Sequence, residues 1–378
     1  MAGDIVLSTG IRSNLLALQN TADLQARTQN RLATGKKVNS ALDNPNSFFT
    51  AASLNNRAGD LADLLDSIGN GIQVLKAADN GITSIKALVQ NAQAAARQAL
   101  QTTGTTAVST GTVQNLTGAS SFAVANNNTI TVNDGTTTAT ITSTGNLTVQ
   151  QIIDGVNNTA SLKVKASLTS DGRIQFEATG ANVITIGGTA TAPELAQYGL
   201  VAGTTAAGTI SAARSNFAGQ YNLLLTQIDK LAQDAGYNGV NLVYGGSLKV
   251  IFNEQSTSSL TIAGVKFDST GLSLTAAGNN FQTSYDINAA MTQLQTAIST
   301  LQTQASAFGS NLSVMQTRQD FTKNVINTLR TGADNLTLAD TNEEGANMLA
   351  LQTRQQLSTT ALSLAAQAAN SVLKLFGG

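Results

Sequence analysis

The chain has 378 residues and a formal net charge of -1, from 21 Lys and Arg against 22 Asp and Glu, and only 11% of its residues are charged, well under the roughly 25% of an ordinary soluble protein. So little charge gives little self-repulsion, so close self-association costs little electrostatically, and no basic run points to nucleic acid or to an anionic membrane. Cys, His and Trp are absent, which excludes disulfides, thiolate nucleophiles and imidazole chemistry and with them most hydrolase and metal-site arrangements, while carboxylate-only chemistry remains open.

The N-terminal "MAGDIVLSTGIRSNLL" lacks a basic region followed by an unbroken apolar stretch, so no cleavable signal peptide is expected. No apolar run approaches transmembrane length. Asp43, in "SALDNPNSFF", stands beside Asn44-Pro45, a pair that favours a turn over a ligand site. A heptad stripe follows: Leu61, Leu65, Ile68, Ile72 and Leu75, then after one short step Ala78, Ile82, Ile85, Val89, Ala92, Ala96 and Ala99. Steps of four and three predict a long helix with one apolar seam, and the short step reads as a stammer.

Between Gln101 and Ala213 Thr, Ser, Gly, Ala and Asn dominate. "TITVNDGTTTATIT" reads as a β-hairpin with a two-residue Asp134-Gly135 turn, which sets Val132 opposite Thr137 and Ile130 opposite Ala139. In "SLKVKASLTSDGRIQFEA" a three-residue turn at Ser170-Asp171-Gly172 pairs Leu168 with Ile174 and Ala166 with Phe176, and so keeps one face apolar. "LTVQQIIDGVNN" predicts one short helix on Val149, Ile152, Ile153 and Val156. The segment is therefore expected to form a small α+β domain. Its hydroxyls are compatible with O-linked sugars, but "DGTTTATITST" has too few carboxylates for a calcium loop, and the glycines of "NVITIGGTA" and "LVYGGSLKV" match no phosphate-binding fingerprint.

Phe217, Tyr221, Leu224, Ile228, Leu231 and Ala235 form a third stripe, and "SLKVIFNEQSTSSLTIAGVKFDSTGLSL" reads as β structure. From Ile287 the strictest pattern begins: Ile287, Met291, Leu294, Ile298, Leu301, Ala305, Phe308, Leu312 and Met315, continuing through Gln319 and Thr322 to Ile326, Leu329, Ala333 and Leu336. A helix from Ile287 to Arg330 would be roughly 65 Å long. The Glu343-Glu344 pair in "LADTNEEGANML" reads as helix-start chemistry in preference to a catalytic dyad. The tail "LALQTRQQLSTTALSLAAQAANSVLKLFGG" carries one more stripe, Leu357, Ala361, Leu364, Ala368, Val372 and Leu375. Arg354 and Lys374 are its only basic residues, too few for a membrane-surface anchor, so the stripe needs a protein partner. Periodicity shows a bundle and leaves open whether it is an ordinary core or part of a polymer.

Together these elements predict a mainly α fold: long antiparallel helices forming a coiled-coil bundle from both chain ends, with a small β-hairpin region and an inserted α+β domain. "RLATGKKVNSALDNP" (Arg31 to Pro45), "SIGNGIQVLKAADNGITSI", "RSNFAGQYNLLLTQIDKLAQDAGYNGVNLV" and the stretch from "FGSNLSVMQTRQDF" to the end resemble bacterial flagellins over about residues 1–102 and 211–378.

The resemblance implies a structural subunit, with no enzyme activity and no cofactor or metal, that polymerises through its paired ends into the extracellular flagellar filament used for swimming. The implied divisions are 1–42, an N-terminal polymerisation helix pairing with 338–378; 43–102 and 211–337, the core bundle, the latter with β hairpins; 103–210, the surface-exposed insert; and 338–378, the C-terminal polymerisation helix. Within residues 5–32, Ile11, Leu15, Leu18, Ala22 and Leu32 are expected to pair with the tail stripe and with neighbouring subunits. Alone in water neither end buries its stripe, so both are expected to order on joining the polymer.

Implied partners are other copies of the chain, the flagellar type III export apparatus, an export chaperone on the C-terminal helix, and the hook-associated junction and cap proteins; no nucleic acid or membrane is implied. Asn91 and Ala95 stand in "LVQNAQAAARQAL" where receptor-activating flagellins carry Arg and Leu, so weak or absent activation of the innate flagellin receptor is expected. Two other classes remain: a hook–filament junction protein with similar ends, and an adhesin-like insert added to assembly. A zinc peptidase insert is excluded by the absence of His.

Overall fold

The structure, a computed structural model, describes residues 9–376; in the last helix the described side chains run to Ala368, with Ser371 beyond it. The order is α1 (Thr9–Thr34), α2 (Pro45–Gln101), β1 (Val108–Thr110), β2 (Ser121–Val124), β3 (Thr129–Asn133), β4 (Thr138–Thr142), β5 (Gly145–Thr148), α3 (Val149–Asn157), β6 (Val164–Leu168), β7 (Ile174–Ala178), β8 (Ile184–Gly188), α4 (Ala192–Gln197), β9 (Gly203–Thr205), α5 (Ala212–Asp234), β10 (Ser247–Ile251), β11 (Ser259–Ala263), α6 (Ser284–Thr337) and α7 (Thr341–Phe376). The predicted mainly α architecture, with long helices from both ends and small antiparallel sheets between them, is the one observed. The chain divides into two compact units, one of residues 1–68, 251–259 and 317–378, the other of residues 69–250 and 260–316.

The long stripes fold as their spacing dictates. α2 is 57 residues long, roughly 85 Å at 1.5 Å per residue. Of its predicted seam only Leu65 is less than fully buried. α6, with 54 residues, outruns its predicted span at both ends, and every predicted stripe residue from Ile287 to Leu336 is buried or half-buried, Gln319 and Thr322 included. In α5 the centre of the stripe is displaced. Tyr221 and Ile228 are buried as predicted, but Ala218, Leu225 and Ala232 complete the buried row, while Phe217, Leu224, Leu231 and Ala235 are half-buried at its edge. Adjacent apolar positions gave two candidate rows, and the one containing the small Ala residues lies deepest.

In the second unit, the insert builds its own core on Ile130, Val132, Ile152, Phe176, Ile184 and Tyr198, all fully buried. Its sheets run β4-β3-β8-β9, β1-β7-β6 and β2-β5. α3 packs its four predicted apolar residues inward. Its start is fixed by a capping box in which Gln151 N–H donates to Thr148 Oγ1 (3.1 Å) and Thr148 N–H donates to Gln151 Oε1 (2.8 Å). The β6–β7 hairpin has the predicted register, Leu168 opposite Ile174 and Ala166 opposite Phe176.

The β3–β4 hairpin corrects the prediction: Val132 pairs with Ala139 and Ile130 with Ile141. The turn is longer than Asp134-Gly135 because the Asp134 carboxylate accepts Thr136 N–H (2.8 Å), Thr137 N–H (2.7 Å) and Lys163 N–H (2.7 Å), which holds four residues in the loop. Slipping by two leaves both faces unchanged and matches apolar Ile130 with a larger apolar partner.

A buried polar cluster ties the insert to the helices of the same unit. Glu177 of β7, almost wholly buried, accepts Ser284 N–H (2.5 Å) and Ser284 Oγ–H (3.0 Å) at the start of α6. Burial pushes its carboxyl above the usual range, against the Ser284 donors and the Arg214 charge. Arg214 of α5 is buried too, and donates to Thr102 O (3.0 Å) and Gln282 O (2.8 Å).

Candidate functional site

With no catalytic constellation predicted, the candidate site is the pair of terminal helices, both within the first unit. α1 is built from Leu, Ala, Gln and Arg, good helix formers with no Pro, and it stops at Gly35, whose φ of +67° suits a helix C-terminus. α7 starts on Asp340, whose Oδ1 accepts Asn342 N–H (2.9 Å) and Glu343 N–H (3.3 Å), with Glu343 and Glu344 in the first turn, where the helix dipole favours acids. The Asp43 turn is also as expected: its carboxylate accepts Asn39 N–H and Ser40 N–H, each at 3.0 Å. Those two backbone donors hold its pKa below the ordinary carboxylate value.

Backbone bonds tie the segment just after α1 to the end of α6 and the linker that leads into α7. Lys37 N–H (2.7 Å) and Val38 N–H (3.2 Å) donate to Thr337 O, and Ala339 N–H donates to Gly35 O (3.0 Å). α1 arrives at this junction, α7 leaves it, and the two helices pack on each other, so they run antiparallel. The Arg31–Glu344 ion pair at 2.8 Å, with Glu344 buried, sets the register. The rows that face into the pair are Ile11, Asn14, Leu18, Thr21, Gln25 and Thr28 on α1 and Met348, Leu351, Gln355, Ser358, Leu362 and Ala365 on α7. Each of these residues is buried or half-buried, at steps of three and four. Polar side chains occupy half of this seam. Buried Thr21 satisfies its hydroxyl within the helix by donating to Ala17 O (2.8 Å).

Of the predicted interface residues, Ile11, Leu18 and Leu32 are half-buried, Ile11 and Leu18 within this seam. Leu15 and Ala22 are exposed, as are Leu357 (66%), Ala361, Leu364 (62%) and Ala368. The side chains of Val372 and Leu375 lie outside the described part. The α7 seam thus runs one position after the tail stripe, on Ser358, Leu362 and Ala365. Sequence reasoning missed Asn14, Thr21, Gln25, Thr28, Gln355 and Ser358 because polar residues give no apolar signal. The clue available was Glu344: an acid four residues ahead of Met348 and seven ahead of Leu351 starts the row that is actually buried.

Among the described residues no group of acidic side chains could hold a metal ion, and no helix is long and apolar enough to cross a membrane. What the pair of helices offers chemically is surface, with one row closed between them, an open apolar row of Leu349, Leu357 and Leu364 on α7, and Leu15, Leu16 and Leu24 exposed on α1.

Comparison with known families gives this surface its context. Residues 9–138 match the bacterial flagellin N-terminal helical region, and residues 291–376 match the bacterial flagellin C-terminal helical region. Flagellin FljM of Caulobacter vibrioides is 32% identical over 157 residues, and FljK of the same organism 31% over 157 residues; each match covers 41% of this chain and 57% of the relative. Flagellin C of Rhizobium meliloti is 25% identical over 205 residues, covering 40% of this chain and 64% of the relative. The chain therefore spans less than two thirds of the length of these curated relatives. With both helical ends matched in order, and with the paired, half-open helices those ends form, the chain belongs to the bacterial flagellin family.

Proposed function

We propose that the chain is a structural subunit that self-polymerises through α1 and α7 into the extracellular helical flagellar filament used for swimming. The observation that carries this reading is the open apolar row. After α1 and α7 have closed their seam, Leu357 and Leu364 remain about two-thirds exposed, and Leu15, Leu16 and Leu24 are exposed on α1. Leu349, Leu357 and Leu364 share one side of α7 at the helical period, and such a cluster of exposed leucines on a protein with so little charge marks an association surface. Family membership supports a filament component, and the low charge lets copies pack closely.

On this reading the insert, residues 103–210, faces solvent. The chain passes through the flagellar type III export apparatus with a chaperone covering its C-terminal helix, and it meets junction and cap proteins at the filament ends. Innate flagellin receptor activation is expected to be weak: position 91 is an exposed Asn without charge, and position 95 is a buried Ala. Electron microscopy of purified protein, after raising its concentration or adding a precipitant, tests the reading. Long tubes are expected, whereas a preparation that yields only single rings or monomers identifies a junction protein or no polymer at all.

A further inference from the structure

The loop joining α1 to α2 carries an apolar side chain that one chain leaves uncovered. Leu42 is 95% exposed, yet the loop around it is tied down. Asp43 Oδ2 accepts Asn39 N–H, Ser40 N–H and the Ser40 hydroxyl (3.3 Å), and Leu42 N–H donates to Ser40 Oγ (3.3 Å). Cations stand nearby: Arg27, Lys36 and Lys37 are exposed, and Arg27 and Lys37 line the same polar cleft as Leu42.

A few residues on, α2 presents a shallow, open groove lined by Pro45, Asn46, Phe49, Thr50, Ser53 and Leu54, with Phe49 63% exposed. Steps of four and three carry the Phe49 face through Ser53 and Asn56 to Asp60 and Asp63, all exposed. Among the described residues neither of these aspartates is in an ion pair. One chain thus displays an apolar knob flanked by positive charge and, separately, an apolar groove continued by negative charge.

We propose that Leu42 of one copy docks in the Phe49 groove of a second copy of this chain, with Arg27, Lys36 and Lys37 meeting Asp60 and Asp63 of that copy. This rests on the filament reading and names a contact within it. Knob and groove are different patches, so the contact is heterologous, and repetition extends it into an open helical polymer where a self-complementary patch would close a dimer. The buried Leu42 anchor supplies affinity. The opposed charges set register and make assembly salt-sensitive, because exposed charges are screened beyond a Debye length of about 8 Å at physiological ionic strength.

The test is the critical concentration for assembly of the full-length chain, with circular dichroism confirming that each monomer is folded. Lys36→Glu with Lys37→Glu, and separately Asp60→Lys with Asp63→Lys, are each expected to raise it about tenfold, and all four together to bring it back toward wild type. Because the chain has no Cys, Leu42→Cys with Ser53→Cys adds a clean second readout: mild oxidation of filaments is expected to give a ladder of covalently linked chains. Charge-reversed variants that assemble like wild type, cross-links confined within one chain, or no ladder because another protein fills the groove would each overturn the inference. In those cases wild-type filaments leave the filament reading standing, and only a wild type that never polymerises overturns both.

Discussion

Asp134 has both carboxylate oxygens engaged: one accepts the N–H groups of Thr136 and Thr137 and the Thr136 hydroxyl, and the other accepts Lys163 N–H from the strand β6 region. Burial alone would raise its pKa, but these donors outweigh it and bring the group from an ordinary 3.8 down to about 2. A carboxylate with a lowered folded-state pKa stabilises fully above its unfolded value and loses that contribution as pH falls through the folded one. The insert is therefore expected to keep its stability down to about pH 4 and to lose part of it between there and about pH 2. Asp134→Ala is expected to cost about 2 kcal/mol at neutral pH, since several partly buried hydrogen bonds lose their acceptor, and to flatten that acid dependence. Denaturant unfolding of the insert followed against pH checks both. None of this was legible in the sequence, where "NDGT" looked like a two-residue turn. An Asx side chain that reaches a distant strand leaves no local trace, and the burial of Arg214, Glu177 and Glu344 was illegible for the same reason.

Helix by helix, legibility tracks how one-sided the apolar pattern is. α6 has a single row of large residues spaced four and three, so its seam could be read for its whole length, and the row held even where Gln319 and Thr322 interrupt it. α7 has apolar residues in neighbouring rows: Leu351 and Leu362 in one, Leu357 and Leu364 in the other. The sequence-based choice fell on the second row, and in the folded chain α1 covers the first. Which row closes is decided by the junction bonds and by Arg31–Glu344, contacts between residues far apart in the chain that no local window contains. The two rows predict different failures. Leu351→Asp places a charge in the α1–α7 seam, so it is expected to lower monomer helicity as well as assembly. Leu357→Asp with Leu364→Asp charges only the open row, so it is expected to leave the far-ultraviolet circular dichroism of the monomer unchanged while abolishing pelletable filaments. Equal helicity loss in both variants would place the second row inside the monomer.

Over the whole molecule, burial is uneven, and stability should follow it. The insert and the central helices bury continuous apolar cores, whereas among the described residues the α1–α7 pair fully buries only Thr21, Thr28 and Glu344. Segments with few buried apolar contacts open at low free-energy cost. Brief proteolysis of the monomer is accordingly expected to trim both ends and spare the rest, and filaments, where copies cover the open row, are expected to resist. Equal resistance of monomer and filament would contradict a polymer built on these helices.

The insert invites the opposite operation. Its entry and exit are stitched together, Thr209 N–H donating to Thr105 O (2.8 Å) and Thr105 Oγ–H donating to Thr209 O (2.8 Å), so Gly104 can be joined to Thr209 with little change in backbone path. Deletions at such closely spaced ends are tolerated when the removed part has its own core, and this one does. Removing residues 105–208 is therefore expected to leave filament formation intact. It also removes Glu177, leaving Arg214 buried without its counter-charge and Ser284 N–H without its acceptor at the start of α6. An uncompensated buried charge costs about 3 kcal/mol or more, so the deletion is expected to melt at a lower temperature than the core bundle of the parent chain. Adding Arg214→Met, which fills the space without the charge, is expected to recover part of that loss. If the deletion assembles and the second change raises its melting temperature, the Glu177–Arg214 cluster serves to join insert and helices and has no part in assembly. A deletion that folds but forms no filaments would instead make the insert part of the assembly surface.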